Sequence, residues 1–403
     1  MSATYWNPSA RAWRADRPTG VVEFHRSLPG YRPTPLVEVP EVAAELGVGR
    51  VFVKDESSRL GLPAFKILGA ACAIARALSA RVGSPDRALT LDELRSALAD
   101  APPVRLVAAT DGNHGRAVAH TARLLGLPAQ IWFPDGLTAE AKDAIAGEGA
   151  EVVELAIPYD DVVAAATRAA EEAGDDAVLI QDTAWPGYEE VPQWIVDGYS
   201  TLFEEADAQL GQVGVAGADL VAVPVGVGSL AQAAVRHHRS GGAAGAEAGG
   251  AEGGARAGAA EGGARAGASA GAGAGAGAPI VLSVEASAAQ PIIASLHAGE
   301  PVSVPTRHTV MSGLNCGTPS EIAWPVLAAG LDAAVTVDEE EAIRAVHDLE
   351  ALGLDSGPCG AATLAGVRRL LADDRARSAL GADATVLLLS TEGRQANPLP
   401  EHR

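Results

Sequence analysis

Short apolar runs, each followed by an amphipathic stretch with helical spacing, recur along nearly the whole chain, and this alternation constrains the fold most. The runs Arg50–Val53, Arg105–Thr110, Gln130–Phe133, Val152–Leu155, Val178–Asp182, Leu220–Val225, Ile280–Glu285, Ala334–Val337 and Thr385–Ser390 read as buried strands. Between them Thr138–Gly147, Asp160–Gly174 and Glu339–Gly353 read as helices, several closed by glycine, which best adopts the left-handed cap. Strand alternating with helix predicts an α/β architecture with a mostly parallel sheet. With 403 residues, 48% of them hydrophobic, the chain can build one large domain or two ordinary ones. In open sheets of this kind ligands gather beyond the carboxyl ends of the strands, so the strand-end loops are where chemistry is sought.

One segment departs from the pattern. From 240 to 278 the chain is almost pure Gly and Ala, with AEGGARAGA at 251–259 repeated at 260–268. Glycine loses the most backbone entropy on folding, and this stretch has no apolar area to offset that loss. A flexible surface insertion is expected, with a helix before it (Leu230–Arg239) and a strand after it.

The formal charge is −21, which repels phosphate backbones and anionic lipid and argues against nucleic-acid or membrane-surface partners. No stretch reaches the roughly 18 apolar residues of a membrane span, and the first residues lack the apolar run of a secretory leader. Three cysteines, Cys72, Cys316 and Cys359, with no CxxC pair give neither a disulfide framework nor a metal site. A soluble cytoplasmic protein is the expectation.

Of 30 basic residues only three are lysines, Lys54, Lys66 and Lys142, so amine chemistry has few candidates. Lys66 follows the polar loop Asp55–Phe65 and opens an apolar helix from Ile67 to about Ala80. There a helix N-terminus and desolvation disfavour the ammonium and favour a nucleophilic amine. On position alone, Lys66 reads equally as a surface lysine on a first helical turn. Lys54 reads as a strand-end surface charge, and Lys142 as part of a solvated helix face.

Three more strand ends carry polar clusters. Thr110-Asp111-Gly112-Asn113-His114-Gly115 precedes the helix Arg116–Leu125, where free amides can hold an anion, although a plain turn with an N-cap reads the same way. Gln181-Asp182-Thr183-Ala184-Trp185 sets a carboxylate beside aromatic residues, which would raise its pKa and suit a proton carrier. The plain alternative is an Asx turn before a helix around Trp194–Glu204. Gly226-Val227-Gly228-Ser229 feeds a helix N-terminus as phosphate cradles do, but lacks a P-loop ending or a full GxGxxG. Ser390-Thr391-Glu392-Gly393 ends the last strand and offers hydroxyls. An amine, a phosphate cup, an amide and a hydroxyl for a ring nitrogen together suit one cofactor, pyridoxal phosphate.

The order and wording of PTPL (33–36), KDESSRLGLPAFK (54–66), ATDGNHGRAVA (109–119), QDTAWPGY (181–188), GVGSLA (226–231), SGLNCGTPS (312–320) and STEG (390–393) resemble the diaminopropionate ammonia-lyase family. These are fold-type-II, tryptophan-synthase-β-like pyridoxal phosphate enzymes, and the resemblance runs from about Tyr31 to Gly393. It implies two open twisted α/β domains with the cofactor in the cleft between them. Residues 1–104 with 190–403 would form the large domain and 105–189 the small one. It implies that Lys66 holds the cofactor, that Gly226, Val227, Gly228 and Ser229 bind its phosphate, that Asn113 meets its phenolic oxygen and Ser390 its ring nitrogen. The reaction implied is α,β-elimination of ammonia from either enantiomer of 2,3-diaminopropionate, giving pyruvate, with Lys66 and Asp111 as bases on opposite faces. Asp182 would bind the substrate's amino groups or relay protons to them, and a homodimer is implied.

The chain departs from the family pattern in three places. No small residue follows Lys66, Asp355-Ser356-Gly357 stands where Glu-Ser-Gly is usual, and Arg394 replaces an acidic residue after STEG. These changes bear on substrate choice more than on cofactor use. A β-replacement synthase or a serine/threonine dehydratase-like deaminase on the same scaffold is the alternative.

Overall fold

The computed structural model describes residues 4–7, 9–110, 112–135, 137–240 and 277–400. Eleven strands lie among these residues: β1 Thr4–Trp6, β2 Leu36–Glu38, β3 Arg50–Asp55, β4 Arg105–Ala109, β5 Ala129–Pro134, β6 Glu151–Leu155, β7 Ala177–Leu179, β8 Leu220–Pro224, β9 Ile280–Ala286, β10 Ala333–Val337 and β11 Thr385–Ser390. They form a seven-stranded sheet ordered β1-β10-β9-β8-β11-β3-β2 and a four-stranded sheet ordered β6-β5-β4-β7. All nine strands expected from the sequence are present. β1 and β2, which are not anticipated, are three residues long and pair antiparallel at the two edges of the larger sheet. Every other pairing is parallel.

The two sheets differ in how they are buried, and their sequences explain why. Strands β8 to β11 are buried along their entire length, which suits runs such as LVAVP and TVLLLS that are apolar on both faces. In the smaller sheet β5 alternates between buried and half-buried residues, and the edge strand β6 is largely exposed. Helices cover the larger sheet on both faces, and two extensive apolar cores lie against it.

The helix Lys66–Arg81 packs between the helices Asn113–Leu125 and Glu190–Gly198. Two glycines set that approach. A Cβ on Gly198 would stand 2.5 Å from the Leu68 carbonyl oxygen, and one on Gly69 would stand 2.6 Å from the Tyr199 ring. The single helix expected around Trp194–Glu204 is two, Glu190–Gly198 and Ser200–Gln212.

The loop between β3 and this helix is anchored by a buried ionic network. Arg59 donates to Glu56 (2.7 Å) and to both oxygens of Glu205 (2.7 and 2.8 Å). Lys54 donates to Glu205 (2.8 Å), the Thr34 carbonyl (2.9 Å) and Gln209 (2.8 Å). Burial pushes the Glu205 carboxyl up, but Arg59 and Lys54 outweigh it and hold the group at about 2. Lys54 is therefore not the strand-end surface charge expected from the sequence; its side chain is fully buried.

The Gly/Ala segment 240–278 lies outside the described residues except at its ends. Before it runs the helix Ser229–Arg239, after it β9, as expected. Arg239 donates to the Pro279 carbonyl (3.0 Å) and pairs with Asp332, which also accepts from the Val281 amide (2.8 Å). The chain thus leaves and re-enters the fold at neighbouring points, which is why an insertion of any length is compatible with the sheet. No helix among the described residues is long and apolar enough to cross a membrane.

Candidate active site

Contacts between distant segments gather the expected site residues at one place. Lys66, the first residue of its helix, donates from Nζ to Asp182 Oδ2 at 2.7 Å. The lysine side chain keeps 24% of its surface exposed and the aspartate 12%, so the pair is partly open to solvent. Asp182 lies just beyond β7, in a turn where Gln181 N–H donates to the Tyr188 hydroxyl (2.9 Å) and Tyr188 stacks on Trp185 (4.4 Å between centroids).

The electrostatics of Asp182 overturn the expectation from its aromatic neighbours. Burial does push the carboxyl up, but the Lys66 ammonium and then His114 outweigh it and hold it well below the usual carboxylate range. The partner is 116 residues away in sequence, so only the fold supplies it. His114 Nε2 donates to the Ile180 carbonyl at 2.7 Å, and this contact turns Nδ1 toward Asp182 Oδ2 at 3.9 Å. The Tyr199 ring packs on Phe65 (4.7 Å), and burial pushes its phenol up to about 12.

The Gly226–Ser229 turn joins β8 to the helix Ser229–Arg239. A Cβ on Gly226 would stand 2.9 Å from Cys316 Sγ, and Gly228 takes φ +106° against Leu327 and Ala323. The Val227 carbonyl accepts from the Ser320 amide (2.8 Å). Ser229 Oγ donates to the Asp182 carbonyl at 3.2 Å, tying this turn directly to the Lys66 pair.

The end of β11 closes the remaining side. Thr391 O accepts from Phe65 N (3.1 Å), and Ala64 bridges Glu392, so the strand end runs beside the residues just before Lys66. Ser390 Oγ donates to Ser356 Oγ at 2.8 Å, both residues being buried. Asn113, which opens the helix Asn113–Leu125, donates from Nδ2 to Glu392 Oε2 at 3.0 Å. Lys66, Asp182, Asn113, Gly226, Val227, Gly228, Ser229 and Ser390 thus converge. Asp111 lies outside the described residues.

Comparison with known proteins gives the family. Residues 27–254 and 248–392 match the family described as "Pyridoxal-phosphate dependent enzyme". The diaminopropionate ammonia-lyase of Escherichia coli K12 is 34% identical over 385 residues, 92% of this chain and 87% of that protein. The chain belongs to the diaminopropionate ammonia-lyase family of pyridoxal-phosphate enzymes. The crystal structure of the Escherichia coli lyase with D-serine superposes with a TM-score of 0.80 at 29% identity, covering 97% of this chain and 94% of that one. The same lyase with an aminoacrylate–PLP azomethine reaction intermediate superposes with a TM-score of 0.76, at 29% identity and the same coverage.

As in other fold-type-II enzymes, the cofactor of this family is pyridoxal phosphate. The residues present fit it on two structural grounds. A primary amine with partial exposure stands in the cleft. A helix N-terminus opens on a glycine turn that side chains at 226 and 228 would fill. Three residues in contact with the site were not singled out from the sequence: Glu392, Ser356 and Tyr199. Glu392 lies within the quoted STEG motif and Ser356 within the quoted Asp355-Ser356-Gly357 segment, neither with a role assigned to it, whereas Tyr199 sits in a run whose only signal is apolar composition.

One other cluster, Asp207, His237 and His238, brings potential ligand atoms within 4.8 Å of one another. His237 Nε2 already lies 2.7 Å from Asp207 Oδ2 and 3.2 Å from the Arg17 guanidinium, so protein groups occupy that nitrogen.

Proposed function

We propose that this chain catalyses the pyridoxal-phosphate-dependent α,β-elimination of 2,3-diaminopropionate to pyruvate and ammonia. The observation that carries the reading is the Lys66–Asp182 pair at 2.7 Å, placed in the cleft beside the glycine turn. Bound pyridoxal phosphate supplies the electron sink that acidifies the substrate's α-hydrogen. Lys66 is the residue that would bind it covalently. The backbone of Gly226, Val227 and Gly228 and the hydroxyl of Ser229 would cradle its phosphate. Asn113 would donate to its phenolic oxygen. Ser390 offers its ring nitrogen a neutral hydroxyl rather than a carboxylate, which suits elimination better than chemistry needing a long-lived carbanion.

Asp182 stays ionised at working pH, so it can hold the cationic amine of a diamino substrate in the place the Lys66 ammonium takes here. Once relieved of Asp182, Lys66 Nζ can accept the α-proton from one face, and Asp111 would serve the opposite face. A positioned base of this kind contributes roughly 10²–10⁴-fold. The stretches 1–104 with 190–403 would form the large domain and 105–189 the small one. The smaller sheet's strands all lying within 105–179 supports that division. A homodimer follows from the resemblance, and three cysteines with no CxxC pair in the sequence support a cytoplasmic setting.

The test is a steady-state assay of D- and L-diaminopropionate and of serine, with pyruvate and ammonia as readouts and no added nucleophile. Pyruvate released with two equivalents of ammonia from diaminopropionate is expected. Turnover only in the presence of a second nucleophile would overturn the reading in favour of β-replacement. Asp111→Asn should impair one enantiomer far more than the other, and equal losses would refute opposite-face bases.

A further inference from the structure

Glu392 takes no part in the assignments above, yet it is the residue that grips Asn113. It is 4% exposed and held from several sides. Its backbone carbonyl accepts from Gly357 N (2.8 Å), and a Cβ on Gly357 would stand 3.0 Å from its Cγ. Its Oε1 accepts from Asn397 Nδ2 (3.1 Å) and from Cys359 N (3.4 Å), and its Oε2 accepts from Asn113 Nδ2 (3.0 Å). The carboxylate cannot swing away, so Asn113 must answer to it.

A side-chain amide can turn over and exchange its oxygen for its nitrogen with almost no change of shape. Beside a carboxylate the two orientations are not equivalent. With Nδ2 toward Glu392 a charge-assisted hydrogen bond forms, whereas Oδ1 in that place would set two acceptors against each other. One amide hydrogen is therefore spent on Glu392, and the second hydrogen on the same nitrogen is the one available to an acceptor in the cleft. We infer that Glu392 is a positioning residue for the elimination. It locks the Asn113 amide so that an N–H, and not a carbonyl, is presented to the phenolic oxygen of pyridoxal phosphate. The inference rests on the proposed contact between Asn113 and that oxygen.

A double-mutant cycle on the full-length enzyme tests it. Apoenzymes carrying Asn113→Ala, Glu392→Gln and both changes are titrated with pyridoxal phosphate, and the visible band of each loaded enzyme is recorded. Each single change should weaken cofactor binding about tenfold, the scale of one hydrogen bond. The double variant should bind no more weakly than Asn113→Ala alone, and the shift of the visible band should likewise not grow. Losses that multiply in the double variant would show that Glu392 acts apart from Asn113 and overturn the inference. So would wild-type cofactor affinity in Glu392→Gln with only a lowered melting temperature, the mark of a purely structural role. If Asn113→Ala itself binds normally, the assignment of Asn113 to the phenolic oxygen fails and takes the inference with it. Weakened Asn113→Ala beside an unaffected Glu392→Gln leaves that assignment standing and sinks only the inference. Should Glu392→Gln not fold, Glu392→Asp withdraws the carboxylate by one methylene and must show the same coupling to Asn113.

Discussion

Two lysines twelve residues apart, at opposite ends of one loop, have opposite fates. Lys54 is fully buried, with its three ammonium hydrogens directed to Glu205, Gln209 and the Thr34 carbonyl. Lys66 keeps part of its surface exposed and faces the carboxylate of Asp182. Both make a carboxylate contact of nearly the same length, 2.8 and 2.7 Å. What separates them is their surroundings. Lys54 is enclosed by the Thr34 carbonyl and by Glu205 and Gln209 of one helix, whereas the partner of Lys66 lies in the turn just beyond β7 of the smaller sheet. A lysine serves chemistry when its partner can be exchanged for a substrate, and serves the fold when it cannot.

The largest effect that could break this contrast is Lys66→Ala. It should prevent borohydride from fixing the cofactor to the protein and lower elimination by at least about 10³-fold. Peptide mapping of the reduced wild-type enzyme checks it, because label on Lys54 would reverse the roles of the two lysines. Asp182→Asn should cost about 10²-fold or more in kcat/KM while leaving the fold intact, measured by pyruvate release. The counterpart at the other end of the loop is Glu205→Gln, which strands Lys54 and weakens the hold on Arg59. Breaking a buried pair of this kind costs about 3–5 kcal/mol, read from urea unfolding, and the surviving folded enzyme should still load cofactor on Lys66.

A smaller effect sharpens the same point about burial. Among the described residues no cation is set against the desolvation of Glu285, and burial pushes it up to about 8 despite hydrogen bonds from the Ile292 and Ile293 amides. A carboxyl raised in the folded state favours folding most below its unfolded value near 4.5, and that contribution is lost as pH rises toward about 8. Glu285→Gln should therefore flatten the decline in stability between these limits, measured by urea unfolding across the range. The smallest effect belongs to Arg394, which pairs with Asp355 (2.9 Å) on the surface. Arg394→Ala should cost under about 1 kcal/mol in the same experiment. Those two residues are both departures from the family pattern, and the fold places them against each other.

Much of the architecture was legible because it is written in local periodicity. The strands of the larger sheet appear as unbroken apolar runs since both faces are covered, and the helix starting at Lys66 follows from its apolar run. β1 and β2 were not legible, because three residues cannot carry a period and their place is set by the edges they pair with. The helix Pro358–Leu371 hides behind a run of small residues that suits its close packing at Gly360 and Gly366. At the site, motif order identified eight residues that converge, while the state of Asp182 was misjudged because its aromatic neighbours are local and its lysine is not.

The sequence by itself determined the α/β alternation, the strand-end position of each polar cluster and the scarcity of amines, since these depend on neighbours within a turn or two. Only the tertiary structure decided which lysine is buried and which faces the cleft, which carboxylate meets which cation, and that Glu392 holds Asn113. Those outcomes depend on partners as much as 279 residues apart, and Coulomb and hydrogen-bond energies respond to distance in space, which sequence separation does not fix.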